Sequence, residues 1–349
     1  QSSGYISRGM GLDPIPLRCS LLSRLIHVCL PIRTRSCSHA CSVPGGTPLR
    51  LFQEIFPILL TKKSVSSKLI ESTQGILHIK EDTTMLLKQV MDLFELLDTP
   101  RACGETIKEV MLANGADEVS VQTVTGEKGS TDSIKILIKG RNGKSSGGTA
   151  PTLGIIGRLG GLGARPEVIG FVSDGDGALA ALSAGLKLAQ MHKNGDVLEG
   201  DVLVATHICP HAPTQEHFPV PFMDSPIDMQ LCNRMEVDER MDAILSIDTT
   251  KGNRVINLNG IAISNTIKEG YILEVSNDLM DVMTRVTGQL PAIFPCAQQD
   301  ITPYGNDLHH LNSILQPATA TNAPVVGVAI TTEQAVAGCA TGASHPLDV

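Results

Sequence analysis

From residue 85 onward the hydrophobic positions fall into regular periods. Leu86, Val90, Leu93 and Leu97 recur at i, i+4, i+7 and i+11, one face of a helix that Asp98-Thr99-Pro100 stops. A second helix is predicted over 105–113, ending at Asn114-Gly115. Two runs that alternate in polarity follow, 118–124 and 133–139, joined by a turn-rich stretch, and then comes a polar Gly/Ser loop over 140–150. The centre switches between short apolar runs and a helical stripe. Strands are predicted at 152–157, 168–172 and 201–206, with a helix over 176–192 whose Leu179, Leu182, Leu186 and Ala189 share a stripe. That order implies a βαβ unit in an α/β layer structure. A further strand at 243–248, an amphipathic helix at 277–288 and a late strand at 324–330 complete the pattern, with Thr331-Thr332-Glu333 as a helix start. The acidic, Met-rich stretch 224–239 reads as a lid or packing helix.

The periodicity is missing from residues 1–84, and the charge changes with it. Of 28 Lys+Arg and 36 Asp+Glu, 10 and 5 lie in this segment, which leaves 18 against 31 in the body. The segment is expected to be a non-domain extension. An Arg- and Ser-rich transit peptide is one reading of it. The preferred reading is upstream sequence translated in frame, with the start at or near Met85 and residues 85–349 forming a single α/β domain.

Composition narrows the function. Ten aromatic residues, none of them Trp, leave little for base-stacking platforms, and a net charge of −8 repels phosphate backbones, so nucleic acid is excluded as a partner. No apolar run approaches the about 18 residues of a membrane helix. Four of the nine cysteines lie in the extension; Cys103, Cys209, Cys232, Cys296 and Cys339 are scattered without C-x-x-C spacing, which fits a reducing cytoplasm.

Candidate chemistry collects at strand ends. Gly157–Gly163 invites a phosphate-loop reading, but Ala164-Arg165-Pro166 leads toward another strand rather than a helix, so a plain connection is expected. Asp174 and Asp176 stand between a strand and a helix, where they either ligate a metal or cap the helix and complement its dipole. The next strand runs into His207, Cys209, His211, Glu216 and His217, a set that suits zinc. Strand 243–247 ends in Asp248, His309-His310 lies on a polar loop, and His345 stands near the C-terminus.

The order strand, Asp174-Gly175-Asp176-Gly177-Ala178-Leu179, then Gly200-Asp201-Val202-Leu203-Val204-Ala205-Thr206 resembles the core of co-catalytic zinc peptidases, the tetrahedral aminopeptidase and desuccinylase-like families. Residues 85–349 as a whole resemble more closely an uncharacterised prokaryotic family, domain of unknown function 1177. The resemblance implies a three-layer αβα fold around a mixed central sheet, zinc-peptidase-like and of the phosphorylase/hydrolase kind. It places Asp248 and His345 at metal positions. The departures are equally plain: the peptidases' His-x-Asp reads Arg158-Leu159-Gly160 here, and their Glu-Glu pair is replaced around Cys209-Pro210-His211.

What remains is a reduced site. Asp174, His211, Asp248 and His345 are the expected ligands of a divalent metal, zinc by preference, with His207 or Glu216 as the base and Arg158 binding a substrate carboxylate. The expected activity is metal-dependent hydrolysis of a small peptide or amide. The alternative is a catalytically degenerate relative that binds a small peptide or amino-acid-like ligand. Assembly into a homo-oligomer is left open.

Overall fold

The computed structural model describes residues 86–158, 171–216, 222–250, 252–297, 311–333 and 349. Helix α1 (Leu86–Leu97) buries Gln89, Val90, Leu93 and Leu97. The predicted stripe is shifted by a fraction of a turn, because Leu86 is exposed and Gln89 turns inward to donate to Gln190 Oε1 at 2.7 Å. Helix α2 (Gly104–Ala113) follows, then a hairpin of β1 (Glu118–Gly126) and β2 (Gly129–Ile138). The two-residue turn Glu127-Lys128 needs a left-handed exit, and Gly129 supplies it at φ +136°.

Strand β3 (Leu153–Gly157), helix α3 (Asp176–Lys193) and strand β4 (Val202–Ile208) make the predicted βαβ unit, with β3 and β4 parallel. The strand expected at 168–172 is not confirmed: 168–170 lie outside the described residues, and Phe171 and Val172 are buried but lead straight into the 3-10 turn Ser173–Gly175. Phe171 instead packs its ring at a tilt against Phe94, centroids 5.1 Å apart, which ties this connection to α1.

Short strands β5 (Thr214–Gln215) and β6 (Phe222–Met223) pair with each other, and helix α4 (Met229–Glu236) leads to β7 (Ala243–Thr250). The remainder comprises β8 (Gly260–Ile263), β9 (Ile267–Lys268), β10 (Tyr271–Ile272), α5 (Asn277–Thr287), β11 (Ala292–Ile293), a 3-10 helix (Ser313–Thr319) and β12 (Val325–Thr331). Ten strands form one mixed sheet in the order β1-β2-β4-β3-β7-β12-β8-β11, with β9 joined to β12 and β10 to β9.

Alternate residues of the central strands face two different layers. Ile134, Ile136, Ile155, Val202 and Val204 pack with α1, α2 and α3 in one core, whereas Ile156, Leu203, Ala205 and Ile244 join Val237, Met241 and Val325 on the other side. The result is the three-layer αβα arrangement around a mixed sheet. Burial on both faces also explains why β3, β4 and β12 read as unbroken apolar runs rather than alternating ones. No helix among the described residues is long and apolar enough to cross a membrane.

Candidate functional site

Parallel pairing fixes where chemistry can gather. β3 runs parallel with β4 and β7, and β7 with β12, so the carboxyl ends of four adjacent strands share one edge of the sheet. In an open α/β sheet ligands sit at this edge, where neighbouring strands lead to opposite faces. β3 and β4 make that divergence. β3 leads to α3, packed with Ile155 and Val204, and β4 leads to α4, whose Glu236 meets Arg158 and His207 on the other face. The first turn of α3 is drawn against the strand ends because Gly177 has no side chain: a Cβ there would stand 2.5 Å from the Ile247 carbonyl oxygen and 2.8 Å from that of Arg158.

Arg158 is the first residue past β3, and strand parity sends its side chain under α4. It is fully buried, at 0% exposure. Its Nη1 pairs closely with Glu236 Oε2 and donates to Asn233 Oδ1 at 2.7 Å, while Nη2 lies 2.9 Å from Met229 Sδ. The same parity on β4 turns His207 to this side, opposite Ser133 of β2. The Thr131 hydroxyl donates to the Ile208 carbonyl at 3.2 Å, so with its one proton committed it accepts from His207 Nδ1 at 3.0 Å. In that arrangement the proton sits on Nδ1 and Nε2 keeps its lone pair.

Burial, reinforced by the Arg158 charge, pulls the His207 imidazole down to about 4, so it is neutral at pH 7. Burial pushes the Glu236 carboxyl up, and the charge and hydrogen bond of Arg158 oppose the rise. The Cys232 thiol is pushed up to about 12, by burial first and then by the Glu236 charge. His207 Nε2 and Glu236 Oε1 lie 3.8 Å apart, and each is buried without a hydrogen-bond partner. His207, Glu236 and Cys232 each offer one ligand atom to a set whose members all lie within 4.8 Å of one another.

Of the residues singled out in the sequence, the structure brings Arg158 and His207 into this one cluster. Asp248 ends on the same side of β7, where it accepts from Ser313 Oγ at 3.2 Å and from the Thr249 amide at 2.8 Å. Asp174 is half-buried in the turn before α3, while His211 and Glu216 are exposed beyond β4. The donor atoms of Asp174, His211 and Asp248 do not gather into a set of three among the described residues. His345, His217 and the His309-His310 pair lie outside the described residues.

The residues not anticipated are Glu236, Cys232, Asn233 and Met229, which α4 supplies, and Thr131 from β2. A signal for the first four exists. They stand at i, i+3, i+4 and i+7, the spacing of a buried helical face, and that face carries a carboxylate, an amide and a thiol where aliphatic residues are the rule.

A family model described as a protein of unknown function (DUF1177) matches residues 122–349. No curated protein matches the chain. Among solved structures, a leucine aminopeptidase of Caenorhabditis elegans is similar at 14% identity and TM-score 0.45, over 74% of this chain and 63% of that one. A tomato leucine aminopeptidase mutant is similar at 11% identity and TM-score 0.43, over 70% and 55%. The LapA aminopeptidase of Legionella pneumophila matches at 10% identity and TM-score 0.41, over 77% and 70%. The chain thus spans less than two thirds of the length of the first two.

Proposed function

The chain belongs to the DUF1177 family of proteins of unknown function, the family its body resembles, and from that premise we propose that it is a metal-dependent hydrolase of a small peptide or amide. One observation carries the reading: β3, β4 and β7 end side by side at the edge where α/β sheets bind ligands, and they deliver Arg158, His207 and Asp248 there. A divalent cation fits this edge, because His207 Nε2 and Glu236 Oε1 are buried acceptors that lack partners and face each other. Bound there, it would supply Lewis acidity toward a carbonyl and lower the pKa of a coordinated water.

The chain's own groups have separate tasks. Arg158 neutralises Glu236 and fixes its orientation, while Asp248 is itself held by Ser313 and the Thr249 amide. Glu216, exposed beyond β5, is the proposed base. Arg158, enclosed and engaged by Glu236, is not open to a ligand carboxylate in either reading, and the degenerate-binder alternative is supported by Arg158-Leu159-Gly160 standing where the peptidases carry His-x-Asp.

The test uses the full chain, loaded in turn with zinc, manganese or cobalt and given aminoacyl anilides and short peptides. Turnover that chelation abolishes, that one metal restores, and that falls at least about tenfold in Asp248→Asn at unchanged melting temperature supports the hydrolase. Saturable peptide binding by calorimetry without turnover for any metal would transfer the reading to a ligand-binding protein.

A further inference from the structure

The cluster under α4 combines two kinds of restraint. His207 Nδ1 is held by Thr131, and Glu236 Oε2 is held by Arg158. Each residue is therefore oriented through one polar atom while its other polar atom is left without a partner. Those two atoms, His207 Nε2 and Glu236 Oε1, are both acceptors, and they face each other across 3.8 Å inside the protein. Buried acceptors opposed in this way repel and forgo hydrogen bonding, an arrangement that costs free energy unless something positive lies between them.

A metal ion satisfies both atoms and recruits a third. Cys232 and Glu236 are four residues apart on α4 and so project from one face of the helix toward β4. Bonds of about 2.0–2.3 Å place neighbouring ligand atoms of a tetrahedral zinc about 3.3–3.7 Å apart, so a set already within 4.8 Å needs only small side-chain adjustments to close. We infer that His207 Nε2, Cys232 Sγ and Glu236 Oε1 hold one divalent metal, zinc by preference, which fastens α4 to the central sheet. The nitrogen, sulfur and oxygen mixture selects a borderline-soft ion over magnesium or calcium. Asn233 Oδ1 and Met229 Sδ, the other donors in the pocket, are engaged by Arg158, so the described residues supply three ligands. Thr131 and Arg158 are positioning residues. On binding, the Cys232 S–H bond breaks, a metal–thiolate bond forms, and the proton leaves to buffer.

The assignment rests on the reading that a divalent metal works at this edge, and its test reads the thiolate rather than turnover, so the two fail separately. The full chain is stripped of metal and titrated with cobalt(II). The expected result is one cobalt per chain with a near-ultraviolet thiolate-to-cobalt charge-transfer band, lost in Cys232→Ser and retained in Cys209→Ser. Thr131→Val should keep the band and weaken binding about 10–100-fold. Cobalt bound without that band, or a band that survives Cys232→Ser, overturns the assignment. Should Cys232→Ser fail to fold, zinc-edge X-ray absorption of the parent decides: one sulfur in the shell supports the site, and a shell of nitrogen and oxygen alone overturns it. A thiolate band without turnover on any substrate keeps the metal site and removes the hydrolase.

Discussion

The two faces of the central sheet share strands β3 and β4, yet they follow different physics. Under α1, α2 and α3 the residues are aliphatic, with Ile134, Ile136, Ile155, Val202 and Val204 meeting Leu179, Leu182 and Leu186. Under α4 the face begins apolar, with Ile156, Leu203 and Ala205, and turns polar toward the carboxyl ends, where Arg158, His207 and Asp248 are buried alongside Glu236. One residue of parity separates the two. The first face is held by volume and area, at roughly 1.5–3 kcal/mol for each fully buried aliphatic side chain. The second is held only as long as its charges stay matched, because a buried ion pair stabilises little by itself but is costly to break.

That contrast is most exposed at Arg158. Replacing it in Arg158→Met leaves the Glu236 carboxylate buried without its counter-charge, and a loss of about 3–5 kcal/mol is expected in urea denaturation of the metal-free chain. Adding Glu236→Leu should return most of that loss, since the pair is then replaced by apolar volume. If single and double variants are equally destabilised, the polar face is held by shape, as the other face is.

Metal should act on one face alone. Zinc at a hundredfold over its dissociation constant is expected to add about 2.7 kcal/mol to the parent by mass action and nothing to Cys232→Ser. Hydrogen exchange should locate the gain in α4 and β4 rather than in α1 or α2. Uniform protection across both faces would contradict a local fastening.

On the aliphatic face the expected effect is smaller and has no partner. Ile136→Val removes one methylene from a site at 0% exposure and should cost about 0.5–1.5 kcal/mol, unchanged by zinc. A zinc-dependent cost would mean that the two layers are coupled through the sheet.

The same contrast explains what could be read from the sequence. Aliphatic periodicity states its own burial, so β3, β4, β7 and β12, together with α1 and α3, are legible to within a residue or two. The short strands β8 to β11 carry only two to four residues each, too few to show a period. At the site, His207 and Arg158 stand out as chemistry-bearing residues, but Arg158 after a strand reads as a group open to a substrate carboxylate. Only the partner on α4 reveals that it is enclosed. Glu236 and Cys232 lie 29 and 25 residues from His207 in the chain, so spacing cannot join them; a helix packed across the sheet does so.

The rim of the polar face gives the gentlest test. Just past α4, Asp238 receives Arg240 bidentately, Nε at 2.8 Å and Nη2 at 3.0 Å, and Lys135 of β2 at 3.2 Å. The hydrogen bond from Arg240 is the main reason its carboxyl is held well below the usual 3.8, with Lys135 adding to it. A carboxyl depressed in the folded state binds fewer protons there than in the unfolded chain, so its contribution is full above about pH 4 and is lost as pH falls below that. Arg240 is largely exposed, which screens the pair, and Arg240→Ala should cost less than about 1 kcal/mol at pH 7. The gap between parent and variant should then narrow as the medium is acidified below pH 4, read from urea midpoints at each pH. A gap that stays constant would assign the loss to packing of the arginine stem, and the rim of this face would then behave like the aliphatic one.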